Sequence, residues 1–395
     1  MNRNPESPWL AVALLAVSSL TVMAGTPIAP ALPEISAHFK DVPNADLLVK
    51  LVLTLPGFFI AALAPFMGAI ADRFGRRPLL LASATLYGLA GASGFFADSL
   101  TAILIGRAFL GIAVAGIMTT SMALIGDYFT GAARYRFMGL QASFTGFGGV
   151  AFLTLGGFLA SVGWRMPFLI YMVAPLMLPL LAWALYEPDR PKAPAPRADG
   201  THEPLPWGPL FAIYGASFVM MAAFYLVPVQ IPYHLKALMH ASPAQAGMAI
   251  ATSTLLSALV SPLFPRIRAR LSHPGVMALS WSVAGLGLLI VSLAGAYWQV
   301  LVGLAFMGVG IGTHFPNVST WLMHVSPEHL RGRLSGGLTT AIFLGQFLSP
   351  VLGEALAHTV GVAPGFGVTG IALAFVAALI AVSRVRRTAV APSAS

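Results

Sequence analysis

Residues 51–77 read LVLTLPGFFIAALAPFMGAIADRFGRR. As far as Ile70 the side chains are almost all apolar; Asp72, Arg73, Arg76 and Arg77 then crowd into a few positions before a second apolar run begins at Pro78. A helix needs about 20 mostly apolar residues to cross a bilayer. The stretch therefore reads as one membrane span, a short basic turn and the start of the next span. Working outward, apolar runs recur near Trp9 to Leu32, Leu48 to Ile70, Pro78 to Phe96, Leu100 to Tyr128, Phe137 to Val162 and Met166 to Tyr186. They continue near Gly208 to Tyr233, Ala244 to Phe264, Val276 to Ala296, Trp298 to Met323, Leu334 to His358 and Val362 to Ser383. Twelve transmembrane helices are expected, in an all-α membrane protein.

The composition agrees. The 395 residues are 57% hydrophobic and only 9% charged, with mean hydropathy +0.82, against about 25% charged residues in an ordinary soluble domain. A soluble enzyme is excluded. The net charge of +9 comes from basic residues lying between apolar runs, so it reports topology rather than a nucleic-acid face. The absence of cysteine removes disulfides, thiolate metal sites and thiol nucleophiles. The first run, which continues through Pro27, Pro30 and Pro33, is expected to be a retained helix rather than a cleaved signal.

Orientation follows from Lys and Arg, which resist translocation. With both termini cytoplasmic, that side holds Arg3, Arg73, Arg76, Arg77, Arg134, Arg136, the Arg190–Arg197 group, Arg266, Arg268, Arg270, Arg331, Arg333 and the Arg384–Arg387 group. The outer side has only Lys40, Lys50, Arg165 and Lys236, and Arg107 falls inside a span. The Pro-rich stretch 187–206 reads as a cytoplasmic linker between six-span halves 1–186 and 207–395. Sliding one half over the other by 197 positions superimposes Pro65 on Pro262, Gly106 on Gly303, Gly111 on Gly308, Arg134 on Arg331, Arg136 on Arg333 and Gly139 on Gly336. Parallel repeats of this kind are a transporter architecture, with the substrate held between the halves near the midplane.

Gly68-Ala-Ile-Ala-Asp72-Arg73-Phe-Gly75-Arg76-Arg77, between the second and third spans, resembles the loop signature of the major facilitator superfamily, and nearest its twelve-span drug and metabolite exporters. The resemblance implies two pseudo-symmetric six-helix halves and gating by this loop. Gly68 and Gly75 would allow close approach and a tight turn. Asp72 would face the N-terminus of the eleventh helix, and Arg73 or Arg76 would pair with an acid such as Asp127. Ile103-x-x-x-Arg107-x-x-Leu110-Gly111 resembles a second signature, with Leu110 in place of its Gln. The fifth-span antiporter signature is half present: Gly148 and Gly156-Gly157 stand in place, with Phe152-Leu153 where Gly-Pro belongs.

A charged group inside a span normally faces a cavity or a partner, so Arg107 is a candidate substrate ligand, with Tyr225, Gln230, His314, Asn317 and Gln346. Glu34, Glu354 and His314 are the proton-coupling candidates, because the other acids fall in loops. With no central carboxylate, a neutral or anionic amphipathic substrate is expected over an organic cation. Proton-coupled export of a drug or metabolite leads; the alternative is proton-coupled uptake of an organic acid, siderophore or similar nutrient. No cofactor or metal is expected. The chain contains no His-Glu-x-x-His and no Gly-x-Ser-x-Gly, which argues against a polytopic enzyme. A monomeric unit in a bacterial cytoplasmic membrane is expected, with small molecules, protons and lipid as its partners.

Overall fold

The computed structural model describes residues 7–188 and 205–390, with backbone alone for Tyr135 and 383–390. Most of the linker and both chain ends lie outside the described residues, among them Arg3 and the Arg190–Arg197 group, and of Arg384–Arg387 the backbone alone is described. Among the described residues there are 12 helices long and apolar enough to cross a membrane. We number them α1 (Pro8–His38), α2 (Ala45–Phe74), α3 (Arg76–Phe96), α4 (Leu100–Tyr128), α5 (Gly131–Val162) and α6 (Met166–Ala184). The second half follows with α7 (Trp207–Met239), α8 (Pro243–Arg268), α9 (His273–Ser292), α10 (Tyr297–Val325), α11 (Glu328–Val360) and α12 (Val362–Val382). This is the all-α, two-half fold the sequence predicts.

Local chemistry sets the breaks. In α1 the helix stops at Met23 and resumes at Leu32 after a 3-10 stretch, Thr26–Ala31, because Pro27 and Pro30 each remove an N–H donor. Gly75, at φ +104°, makes the sharp turn between α2 and α3, a conformation that side chains with a Cβ resist. Ser242 and Gln245 cap the start of α8 reciprocally.

Within each half, small residues let spans approach closely, the usual device where lipid removes any hydrophobic drive between helices. A Cβ on Gly91 of α3 would collide with the Tyr171 ring of α6. In the second half, a Cβ on Gly285 of α9 would lie 2.6 Å from the Gly370 carbonyl of α12.

Between the halves, α2 runs against α11 and α5 against α8. These two junctions are copies under the 197-residue offset. A Cβ on Gly57 would sit 3.2 Å from Cδ of Gln346, and one on Gly149 3.2 Å from Cγ2 of Thr254; the offset carries Gly57 to Thr254 and Gly149 to Gln346.

Candidate functional site: a cleft between the halves

The cleft is closed at its Arg-poor end by contacts that cross from one half to the other. On α2 and α11, the Lys50 ammonium donates to the Glu354 carboxylate, with side-chain exposures of 6% and 14%. Its counterpart under the offset is the glycine pair Gly247 and Gly157, where a Cβ on either would come within 3.2 Å of the other's Cα. One junction is held by charge and the other by bare backbone. Around them, Lys236 Nζ donates to Glu34 at 3.0 Å, Ser36 and Tyr233 share a hydrogen bond of 2.7 Å, and the Lys50 ammonium lies 4.9 Å from the centre of the Tyr233 ring. His358 Nε2 is 3.3 Å from Glu354.

Contacts of α2 with α11 continue inward through Thr54 and Phe347 to Thr340, whose hydroxyl donates to the Ala61 carbonyl at 3.3 Å. Beyond that level the halves part. A Cβ on Gly68, Gly139, Gly332 or Gly336 would meet nothing within 4 Å, so the cleft opens toward the Arg-rich end.

At that end the predicted gating loop is lashed to its own half. Arg76 pairs with Asp127 at the end of α4 and also donates to the Ala123 carbonyl at 3.1 Å. Arg77 Nη2 donates to the Ala182 carbonyl at 2.6 Å. Asp72 and Arg73 are exposed, and the Arg73 guanidinium lies 5.4 Å from the Phe74 ring centre. Sequence reasoning placed Glu187 in the linker; the structure gives it a specific role. Its carboxylate accepts from the backbone N–H groups of both Arg76 and Arg77, each at 2.8 Å, satisfying donors that a helix start leaves orphaned and meeting the positive end of the α3 dipole. The available signal was an acid directly after the apolar run ending at Tyr186. Loss of an N-terminal cap costs about 0.5–2 kcal/mol; Glu187→Gln is expected to lower the unfolding free energy by that order, as read by denaturation followed by circular dichroism in detergent, with no change in a substrate dissociation constant.

The offset carries Arg76 and Asp127 onto His273 and His324. In the second half these rings stand 6.2 Å apart, and His273 is instead tied to Asn317: Nδ1 to Oδ1 at 2.9 Å and Nδ2 to the His273 carbonyl at 2.9 Å. Asn317 therefore fixes the start of α9 to α10 and does not reach the cleft.

Three other sequence candidates also face away from it. Arg107 is fully buried inside the first half, donating to the Gly91 carbonyl at 2.7 Å, with the ring centres of Phe168 and Tyr171 at 5.1 and 4.8 Å. Its helical phase aims it at α3 and α6, so it does not offer its charge to a substrate between the halves. His314 is fully buried against α9, where its Nδ1 accepts from Trp281 Nε1 at 3.3 Å. Gln230 is buried beside Gly353 with neither amide atom partnered. One candidate does lie at the junction, Gln346, packed on Gly57; Tyr225 is half-buried on α7, its ring 5.9 Å from that of Phe224. Lys50, treated from sequence as an outer-loop residue, is inside α2 and part of the closure. Among the described residues no three His, Asp or Glu side chains converge as a metal site.

Two six-helix halves closed at one rim and parted at the other define a membrane transporter of small molecules. The sequence profile described as Major Facilitator Superfamily matches residues 14–229 and again 213–395, and the chain belongs to that family. It is 34% identical over 182 residues to the multidrug efflux pump LfrA of Mycolicibacterium smegmatis, covering 45% of this chain and 35% of the pump. It is 25% identical over 366 residues to the class C tetracycline resistance protein of Escherichia coli, covering 87% and 89% of the two chains. Among solved structures, a D-xylose-proton symporter matches with TM-score 0.77 at 16% identity, over 94% of this chain and 96% of the symporter.

Proposed function

We propose that the chain exports a neutral amphipathic small molecule, with its Arg-rich end in the cytoplasm and with protons acting at the closed rim. The carrying observation is the character of the cleft. Gln346, Thr54 and Thr340, all uncharged, are polar groups on its α2–α11 face, while the spans that border it hold no acid between the Lys50–Glu354 pair and the Arg-rich loops. With Arg107 turned into its own half, the argument for an anionic substrate loses its cation, and an uncharged molecule with apolar bulk and a few hydrogen-bonding atoms fits best. Export is supported by the efflux and resistance proteins among the relatives.

The two halves would act as rigid units, 1–186 with 207–395, joined through 187–206. Glu354, when ionised, holds Lys50 across the junction; a proton arriving from the outer side cancels that hold, so acid outside favours opening of the rim. The test uses the full chain in proteoliposomes with an imposed proton gradient, after a thermal-shift screen of neutral, anionic and cationic amphiphiles; a ligand at about 100 times its dissociation constant stabilises by roughly 2.7 kcal/mol. Hits among neutral compounds, moved toward the acid compartment, are expected. Hits confined to cations, or movement only away from the acid compartment, would overturn the reading.

A further inference from the structure

We propose that the second half carries a separate, lateral binding site for an uncharged single-chain amphiphile that enters from the bilayer. The site is a cavity of about 220 Å³ between α7, α9, α11 and α12, walled by residues such as Leu226, Trp281, Leu352, Leu373 and Val376. It lies within one half, away from the junctions α2–α11 and α5–α8. Leu352 and Val376 are exposed on the outer face of the bundle, where the surrounding medium is hydrocarbon, so the mouth opens toward lipid chains.

The wall's polar groups are already committed. The Ser349 hydroxyl donates to the Ala222 carbonyl at 2.7 Å, Thr369 to Gly365 at 2.9 Å, and the Trp281 indole to His314. A second cavity of about 10 Å³, which shares Leu226, Gly353 and Leu356 with the first, reaches Gln230 and Phe366. There the Gln230 side chain is 3% exposed and neither its Nε2 nor its Oε1 has a partner. One turn further along the same face of α7, His234 is 7% exposed and packs 5.8 Å from the Phe366 ring; its Nε2 also lacks a partner.

Buried polar groups are normally hydrogen-bonded, and an orphaned one is a standing cost. An amide that both donates and accepts, beside a space for about one water-sized group, fits a hydroxyl head. No charged residue lines either cavity, so an ionic head would be buried without a counter-charge. Size narrows the occupant further. The larger cavity exceeds the ~150 Å³ that holds benzene in an engineered protein and falls short of the ~300–1,000 Å³ of drug-sized pockets, which suits one chain and not a polycyclic molecule. The assignment does not depend on what crosses the central cleft.

The test is photolabelling of the full chain in phosphatidylcholine nanodiscs with hexadecanol carrying a mid-chain diazirine, mapped by mass spectrometry. Parallel arms use the matching hexadecane and a diazirine phosphatidylcholine. Hexadecanol should label the cavity segments of α7, α11 and α12 several-fold more than hexadecane does. Gln230→Leu should bring the two probes level, and Ala372→Trp, at the exposed mouth, should abolish cavity labelling; Val376→Trp serves the same purpose if the first plug fails to fold. Equal labelling by alcohol and hydrocarbon, labelling spread over the lipid-facing surface in proportion to exposure, or phospholipid labelling as strong as that by the alcohol would each overturn the proposal.

Discussion

Replacing Glu354 with glutamine is expected to open the Arg-poor end of the transporter. In the closed rim Lys50 is 6% exposed at its side chain and its charge is met by Glu354. Removing one partner of a buried pair strands the other, at a cost of about 3–5 kcal/mol. That penalty falls on the closed rim alone, because opening hydrates Lys50. Since about 1.4 kcal/mol is a tenfold change in an equilibrium, the closed-to-open ratio should fall by a hundredfold or more. The chain has no cysteine, so spin-label pairs can be placed without background: Asp41 with Thr359 across the rim, and Thr130 with Glu328 across the Arg-rich end. In Glu354→Gln the rim distance should lengthen and the opposite distance shorten. The charge swap Lys50→Glu with Glu354→Lys should restore the wild-type distribution, which separates loss of the pair from general damage. Unchanged distances in the single variant would refute the closure role.

The twelve spans and the two halves were legible because hydropathy and the 197-residue offset are properties of the chain itself. The Gly68–Arg77 loop was legible for the same reason, since its residues are close in sequence. What sequence could not reveal was which way each helix is turned. A span whose surface is apolar all round buries some faces against protein and others against lipid, so periodicity no longer marks the inward face. Arg107, His314 and Gln230 read as cleft candidates because they are polar groups inside spans. Their phase, fixed by glycine contacts such as Gly91 with Tyr171 and Gly285 with Gly370, aims them elsewhere. Asn317 and His273 lie 44 residues apart, and no local signal joins them. Lys50 was hidden by its position three residues into an apolar run, where a loop and a first helical turn look alike. Its partner, 304 residues away, is supplied only by the fold.

Arg107 carries the second large effect, and it separates a structural arginine from a substrate ligand. The side chain is fully buried, with Nε and Nη1 unpartnered and the guanidinium set between the Phe168 and Tyr171 rings and the Gly91 carbonyl. Truncation to alanine removes those contacts and leaves a void among α3, α4 and α6; large-to-small changes of this kind cost about 3–5 kcal/mol. Arg107→Ala should therefore unfold at a markedly lower temperature, whereas Arg107→Met, which keeps most of the volume and discards the buried charge, should stay within about 1.5 kcal/mol of wild type. The two variants must also agree on binding: both should keep the wild-type dissociation constant for whichever compound the thermal-shift screen selects, since the guanidinium lies inside one half. A methionine variant of normal stability that binds substrate tenfold more weakly would return Arg107 to the cleft, and with it the case for an anionic cargo.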